Sequence, residues 1–201
     1  MAKKDEQKAL SRQKILVAAA ECFAEKGYEG CAIADIADRA GMSKGNIYVH
    51  FTSKEELFKC MIQEDHMGAA RKLKQALVES GAVEALLELL FRCIREVSYP
   101  VDHRLWLECL SVAGRNEAIR ESFIASDRIM RDAFISLLKK AAENGEVDDS
   151  LDFETISLWI YALADGLIAR TAHDKNFRLE DHIESLEKLL RRALGAEKKP
   201  D

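Results

Sequence analysis

The sequence predicts an all-α chain of about nine helices, with a three-helix, helix-turn-helix front followed by a larger helical body. Three observations predict it. Apolar residues recur at helical spacing almost from end to end, with no sustained strand-type alternation. Only two prolines, Pro100 and Pro200, interrupt the 201 residues, and proline is the residue that a helix interior tolerates least. Glycines such as Gly27, Gly41 and Gly145 fall where the periodic stretches end, as helix stops do.

The elements follow in order. Ile15, Leu16, Ala19 and Phe23 share one face of a first helix that Gly27 closes. Ile33, Ile36, Ala37 and Ala40 make a short second helix stopped at Gly41, and Ser43 can cap a third carrying Ile47 and Phe51. The capping-box pattern Ser53-x-x-Glu56 opens a fourth helix running to about Glu79. Val83 to Val97 is the fifth, ended ahead of Pro100. Val101 to about Gly114 is the sixth, and Glu117 to Asn144 the seventh. Asp152 caps an eighth to about Ala172, and Glu180 to Gly195 is the last. The spacing of short and long helices divides the chain into residues 1–60 and residues 61–201.

Composition narrows the function classes. Hydrophobic residues at 48% and charged residues at 32% describe a globular chain rather than a disordered one. The opening residues carry charge with no apolar run behind it, unlike a signal peptide. The longest uncharged apolar run, Thr155 to Ala164, is well short of the roughly 20 residues that span a bilayer. A cytoplasmic protein without membrane partners is expected. Cys22, Cys31, Cys60, Cys93 and Cys109 are odd in number and show no C-x-x-C spacing. They read as small buried apolar residues in a reducing compartment. No His pairs with another His or Cys at ligand spacing, so no metal and no cofactor are expected. Net charge is −5, which does not by itself suggest nucleic acid. Residues 1–60 nevertheless hold ten Lys and Arg against nine Asp and Glu, while residues 61–201 hold 20 against 26. Lys3, Lys4, Lys8, Arg12 and Lys14 concentrate the positive charge in the opening arm.

The segment Ile33 to Phe51 carries a mechanism. Two short helices crossing over a tight turn need small residues where they touch and a glycine where the backbone reverses. Ala37 and Ala40 allow the approach, Gly41 makes the turn and Met42 fills the space between. Ser43 can then cap the next helix and leave its free N–H groups for a phosphate. With Ile47 and Phe51 turned inward, Lys44, Asn46, Tyr48 and His50 remain: a cation, an amide, a phenol and an imidazole suited to phosphates and base edges.

Residues of about 12–60 closely resemble the DNA-binding domain of the tetracycline-repressor (TetR) family. The resemblance rests on Ile36-Ala37, Ala40-Gly41, Ser43-Lys44-Gly45, Ile47-Tyr48, His50-Phe51, Ser53 and Lys54-Glu55-Glu56-Leu57, taken as one gapless pattern. It implies that Ser43, Lys44, Gly45, Asn46, Tyr48 and His50 meet DNA, Tyr48 and His50 on phosphates, and that Lys54 touches the backbone. Gly45 would let the helix come close. One departure stands out: positions 31 and 32 usually carry hydroxyl residues that cap the second helix and touch phosphate, and here they are Cys31 and Ala32. That removes a cap worth about 1 kcal/mol.

Residues 81–201 show no Ser-His-Asp grouping, phosphate loop or H-E-x-x-H, so no enzyme is expected. They resemble, more weakly, the effector and dimerisation domain of the same family. The run Leu158 to Ile168 is similar to the eighth-helix pattern of choline-betaine-type regulators. That helix is apolar nearly all round, and the last helix offers a leucine stripe, which together suggest a four-helix contact between two copies. Leu163, Leu167, Leu186 and Leu190 are the expected interface residues. Trp106, Cys109, Leu110, Phe134, Trp159 and Arg170 are the candidates for an effector pocket, though plain core packing explains each as well. Asp165 and Arg170 sit in an apolar helix and need partners.

The resemblance thus implies a homodimeric repressor, released from a palindromic DNA operator by a small-molecule effector. Two alternatives stay open at this point. One is a helical enzyme or carrier that kept the fold and lost DNA binding; Lys44, Tyr48, His50 and Lys54 argue against it. The other is a thiol redox sensor, with Cys93 and Cys109 its better candidates.

Overall fold

The structure, a computed structural model, describes residues 2–79, 81–96 and 101–196. Among the described residues there are nine α-helices: α1 (Ala2–Gly30), α2 (Ile33–Ala40), α3 (Lys44–His50), α4 (Lys54–Glu79), α5 (Ala82–Glu96), α6 (His103–Arg115), α7 (Glu117–Glu143), α8 (Phe153–His173) and α9 (Ile183–Ala193). A 3-10 turn, Leu179–Asp181, precedes the last. The described residues contain no strand, and none of their helices is long and apolar enough to cross a membrane. The expected end of α5 ahead of Pro100 lies outside the described residues.

Two compact units divide the chain: residues 1–65 with 98–126, and residues 66–97 with 127–201. The first unit takes in α6 and the front of α7.

In the first unit, Ile15, Leu16, Phe23, Ile36, Ile47, Phe51, Leu57 and Phe58 form the core. Each fully buried side chain of this size contributes about 1.5–3 kcal/mol. Phe23, Tyr28 and Phe58 close on one another, with ring centroids 4.8–5.8 Å apart. Gly27, at φ 70, breaks α1 where the sequence predicts a stop, although one further helical turn follows to Gly30. The Tyr28 end of α1 is held from α6, where the Glu108 carboxylate accepts the Tyr28 backbone N–H at 2.7 Å. Asp102 caps α6 through the Leu105 N–H, and Asn116 caps α7 through the Ile119 N–H.

The second unit is built on α5, which buries Val83, Leu86, Leu87, Leu89, Leu90 and Ile94. Its first turn is tied down twice: Glu146 accepts the Val83 N–H at 3.2 Å, and Arg191 of α9 reaches Glu84 at 3.1 Å. Phe134 of α7 meets Tyr161 of α8 edge-on at 5.4 Å. Asp152 caps α8 as the sequence predicts, accepting the Glu154 N–H at 3.1 Å. The α8 helix is not buried all round: Leu158 and Trp159 are 60% and 40% exposed, and Leu189 of α9 is 58% exposed.

Candidate nucleic-acid interface

The turn between α2 and α3 forms from local chemistry. Gly41 adopts φ 66, a conformation that a side chain disfavours. The Met42 N–H returns to the Ala37 carbonyl at 2.9 Å and the Gly41 N–H to that of Asp38 at 3.2 Å, which closes α2. Ser43 then starts α3, its hydroxyl accepting the Asn46 backbone N–H at 3.2 Å. Ile47 is fully buried and Phe51 nearly so, which anchors the seven-residue α3 on the core.

At about 100° per residue, anchoring Ile47 inward fixes the other positions of α3. Gly45 and Val49 fall opposite the core, Tyr48 and Asn46 on the two flanks, and Lys44 and His50 near the base. Ser43, Lys44, Gly45, Asn46 and Tyr48 are all exposed, so these sequence-predicted residues share one continuous solvent-facing surface. A Cβ at Gly45 would meet nothing closer than the Ser43 hydroxyl at 3.8 Å; the protein itself does not require a glycine there. Val49, 70% exposed, belongs to this surface and was not singled out from sequence, although the helical wheel around Ile47 already places it outermost.

His50 is half-buried. Its Nδ1 is buried without a hydrogen-bond partner, and burial holds its imidazole below the usual range, helped by the positive charges of Lys8 and Arg12. The basic arm of α1 thus flanks the end of α3. Arg12 packs its guanidinium 5.2 Å from the Phe51 ring centroid and pairs with Glu64.

Lys54 differs from the others. It is half-buried, its ammonium donates to the Tyr28 and Cys31 carbonyls at 2.7 and 3.1 Å, and it lies 4.4 Å from the Tyr28 ring centroid. An ammonium has three N–H donors, so one remains for another partner. The Ser53 capping box forms in altered shape: Ser53 accepts the Glu56 N–H at 3.0 Å, but Glu56 takes the Thr52 N–H at 2.5 Å rather than that of Ser53.

The missing hydroxyl cap of α2 is half replaced. Ala32 offers no side-chain acceptor, yet Asp35 reaches back to the Ala32 N–H at 2.8 Å and accepts from Lys26 at 2.7 Å. Arg39, on the same helix, pairs with both oxygens of Glu25 at 2.9 and 2.5 Å and with Glu21 at 3.3 Å. The fold also gathers a donor set that sequence spacing did not show: one ligand atom each of Cys22, Cys31 and Asp35 lie within 4.8 Å of one another.

The remaining candidates divide between the units. Trp106 and Cys109 are buried and Leu110 half-buried in the first; Phe134 is buried while Trp159 and Arg170 are exposed in the second. Of the α8 residues Asp165 and Arg170, Arg170 is exposed and Asp165 half-buried. Leu163, Leu167 and Leu186 are half-buried, whereas Leu190 is buried within its own chain. Sequence reasoning missed a set of buried polar atoms in the second unit. Tyr161 Oη, Ser157 Oγ and Arg131 Nε are buried without hydrogen-bond partners. Burial, with Asp127, Cys93 and Asp165 nearby, pushes the Tyr161 phenol up, and burial raises Asp127.

Comparison with known proteins agrees with this geometry. Residues 15–61 match the model of bacterial regulatory proteins of the tetR family, and residues 81–195 match the C-terminal model of BetI-type transcriptional repressors. The HTH-type transcriptional repressor AcnR of Corynebacterium diphtheriae is 30% identical over 82% of each chain. The HTH-type regulator YfiR of Bacillus subtilis is 27% identical over 96% of this chain and 97% of its own. Salmonella enterica GusR superimposes with a TM-score of 0.78 at 26% identity, covering 92% of this chain and 95% of that one. The chain belongs to the tetR family of DNA-binding transcriptional regulators.

Proposed function

We propose that this regulator is a homodimeric repressor that grips a palindromic operator through α3 and lets go when a small molecule binds within residues 61–201. The observation that carries the reading is the exposed face of α3, where Ser43, Lys44, Gly45, Asn46 and Tyr48 stand together in solvent around a buried Ile47. In this reading Lys44, Tyr48 and His50 take phosphates, with Ser43 at the start of the helix and the third N–H of Lys54 beside them. Gly45 admits the backbone to the groove, and Asn46 addresses a base edge. Residues 1–60 are the reading domain.

Dimerisation is supported by the apolar side chains that α8 and α9 leave in solvent, Leu158, Trp159 and Leu189. Leu163, Leu167 and Leu186 would border that contact, with Leu190 supporting it from within. Two reading heads must match major grooves about 34 Å apart, so a displacement of a few ångströms on effector binding would release the operator. The partnerless polar atoms of Tyr161, Ser157 and Arg131 support an effector site in the second unit beside Phe134.

Footprinting on DNA upstream of the regulator's own gene tests the reading. Two symmetric protected half-sites, weakened by salt, are expected. Absence of protection at low salt, with the protein folded, would overturn it.

A further inference from the structure

We propose that Cys22, Cys31 and Asp35 form a binding site for a thiophilic divalent cation of the zinc class, set between α1 and the start of α2. The two sulfurs and one carboxylate oxygen lie within 4.8 Å of one another. Around a tetrahedral zinc, with Zn–S of about 2.3 Å and Zn–O of about 2.0 Å, neighbouring donors stand roughly 3.3–3.8 Å apart. The three atoms need to contract by about 1.5 Å or less to reach that spacing.

The donor chemistry selects the ion. Two sulfurs with one carboxylate favour a borderline-soft cation over magnesium or calcium, which take oxygen ligands. Three protein ligands leave the fourth position to water. Asp35 can join without losing its present partners: each oxygen already accepts one hydrogen bond, from Lys26 or from the Ala32 N–H, and keeps a second lone pair. Two thiolates and a carboxylate would carry three negative charges. Lys26 lies on Asp35 and the Lys54 ammonium is bonded to the Cys31 carbonyl, so a divalent ion brings the cluster close to neutrality.

Position 31 gives the site its meaning. Where the family pattern has a hydroxyl that caps α2, this chain has a thiol facing Cys22 across the helix junction. Both sulfur-bearing residues are 1% exposed, and burial, with the adjoining Cys22 thiol, pushes the Cys31 thiol up to about 12. A metal ion displaces thiol protons as it binds. The ion would fasten Cys31 and Asp35, on either side of the uncapped Ala32, to α1.

The test uses the full chain held reduced by a phosphine, so that no disulfide competes. Titration with Co2+ should produce a sulfur-to-cobalt charge-transfer band saturating at one equivalent per chain and abolished by Zn2+. Cys22→Ser and Cys31→Ser should each weaken binding about 100-fold or more, and Asp35→Asn about 10-fold or more. Cys31→Ser returns a family-like hydroxyl, and circular dichroism checks that it folds. On the unmodified chain, Zn2+ should raise Tm. No charge-transfer band at millimolar Co2+, no rise in Tm with Zn2+, or full binding by folded Cys22→Ser and Cys31→Ser would each overturn the proposal.

Discussion

Lys54 holds its ammonium 4.4 Å from the centre of the Tyr28 ring and donates to the Tyr28 carbonyl at 2.7 Å. A side chain expected on a DNA phosphate is therefore also a tie between the start of α4 and the end of α1. Lys54→Ala should lower stability by about 1–3 kcal/mol, through the lost ring contact and charge-assisted hydrogen bonds. It should also flatten the salt dependence of DNA binding by about one unit. Urea denaturation and operator titration at several salt concentrations check both; unchanged stability would reduce Lys54 to a phosphate contact alone.

Gly45 separates folding from DNA approach. A methyl group there has room, with its nearest neighbour at 3.8 Å, and its backbone is helical. Gly45→Ala should leave stability unchanged or raise it by up to about 1 kcal/mol. Operator affinity should nonetheless fall, because the added carbon projects from the face opposite Ile47. Equal affinity for the two proteins would show that α3 never comes that close to DNA.

How much of this was legible in the sequence depends on distance along the chain. Gly41, Ser43, Ile47 and Phe51 act on residues three to five positions away, and the structure forms their turn, cap and anchor as the pattern predicts. Relationships between elements were not legible. Cys22, Cys31 and Asp35 match no ligand spacing because α1 and α2 bring them together only in the folded unit. The Glu108 bond to Tyr28 spans 80 residues. Apolar periodicity also cannot distinguish a helix's own core from a face left to solvent or a partner: Trp159, in the apolar run of α8, is 40% exposed.

That distinction makes the dimer testable. Leu189 and Leu190 are adjacent, one 58% and the other 1% exposed. Leu158→Glu combined with Leu189→Glu should yield a folded monomer, since both charges can remain hydrated. Leu190→Glu should instead unfold the second unit, as a lone buried carboxylate is costly. Light scattering with circular dichroism separates these outcomes; a single-chain mass for the unmodified protein would refute the dimer.

His66 sets an acid limit. It is buried, and burial pushes its imidazole down to about 4, while the unfolded chain takes up that proton near pH 6.5. Between those values the unfolded state binds more protons, so stability is full above about pH 6.5 and is lost as pH falls toward 4. The loss from pH 7 to pH 5 should be about 2 kcal/mol. His66→Leu should flatten that part of the profile in urea denaturation; an unaltered slope would mean that other groups carry it.

Asn46 tests whether α3 reads sequence. An asparagine near the front of a short helix can either help start that helix or address a base. The structure gives the cap to Ser43, whose hydroxyl accepts the Asn46 backbone N–H, and the Asn46 side chain itself is exposed on the flank of α3. Its amide carries both donor and acceptor, which matches adenine in the major groove with about 1–3 kcal/mol of discrimination. Asn46→Ala should leave the unfolding midpoint nearly unchanged, since no cap is lost and alanine favours a helix. It should weaken specific binding and relax preference at one symmetric pair of operator positions, with non-specific affinity preserved because phosphate contacts remain. Binding the variant to a library of operator sequences measures this position by position. A uniform loss across the library would assign Asn46 to the backbone, and a loss that tracked stability would return it to the helix start.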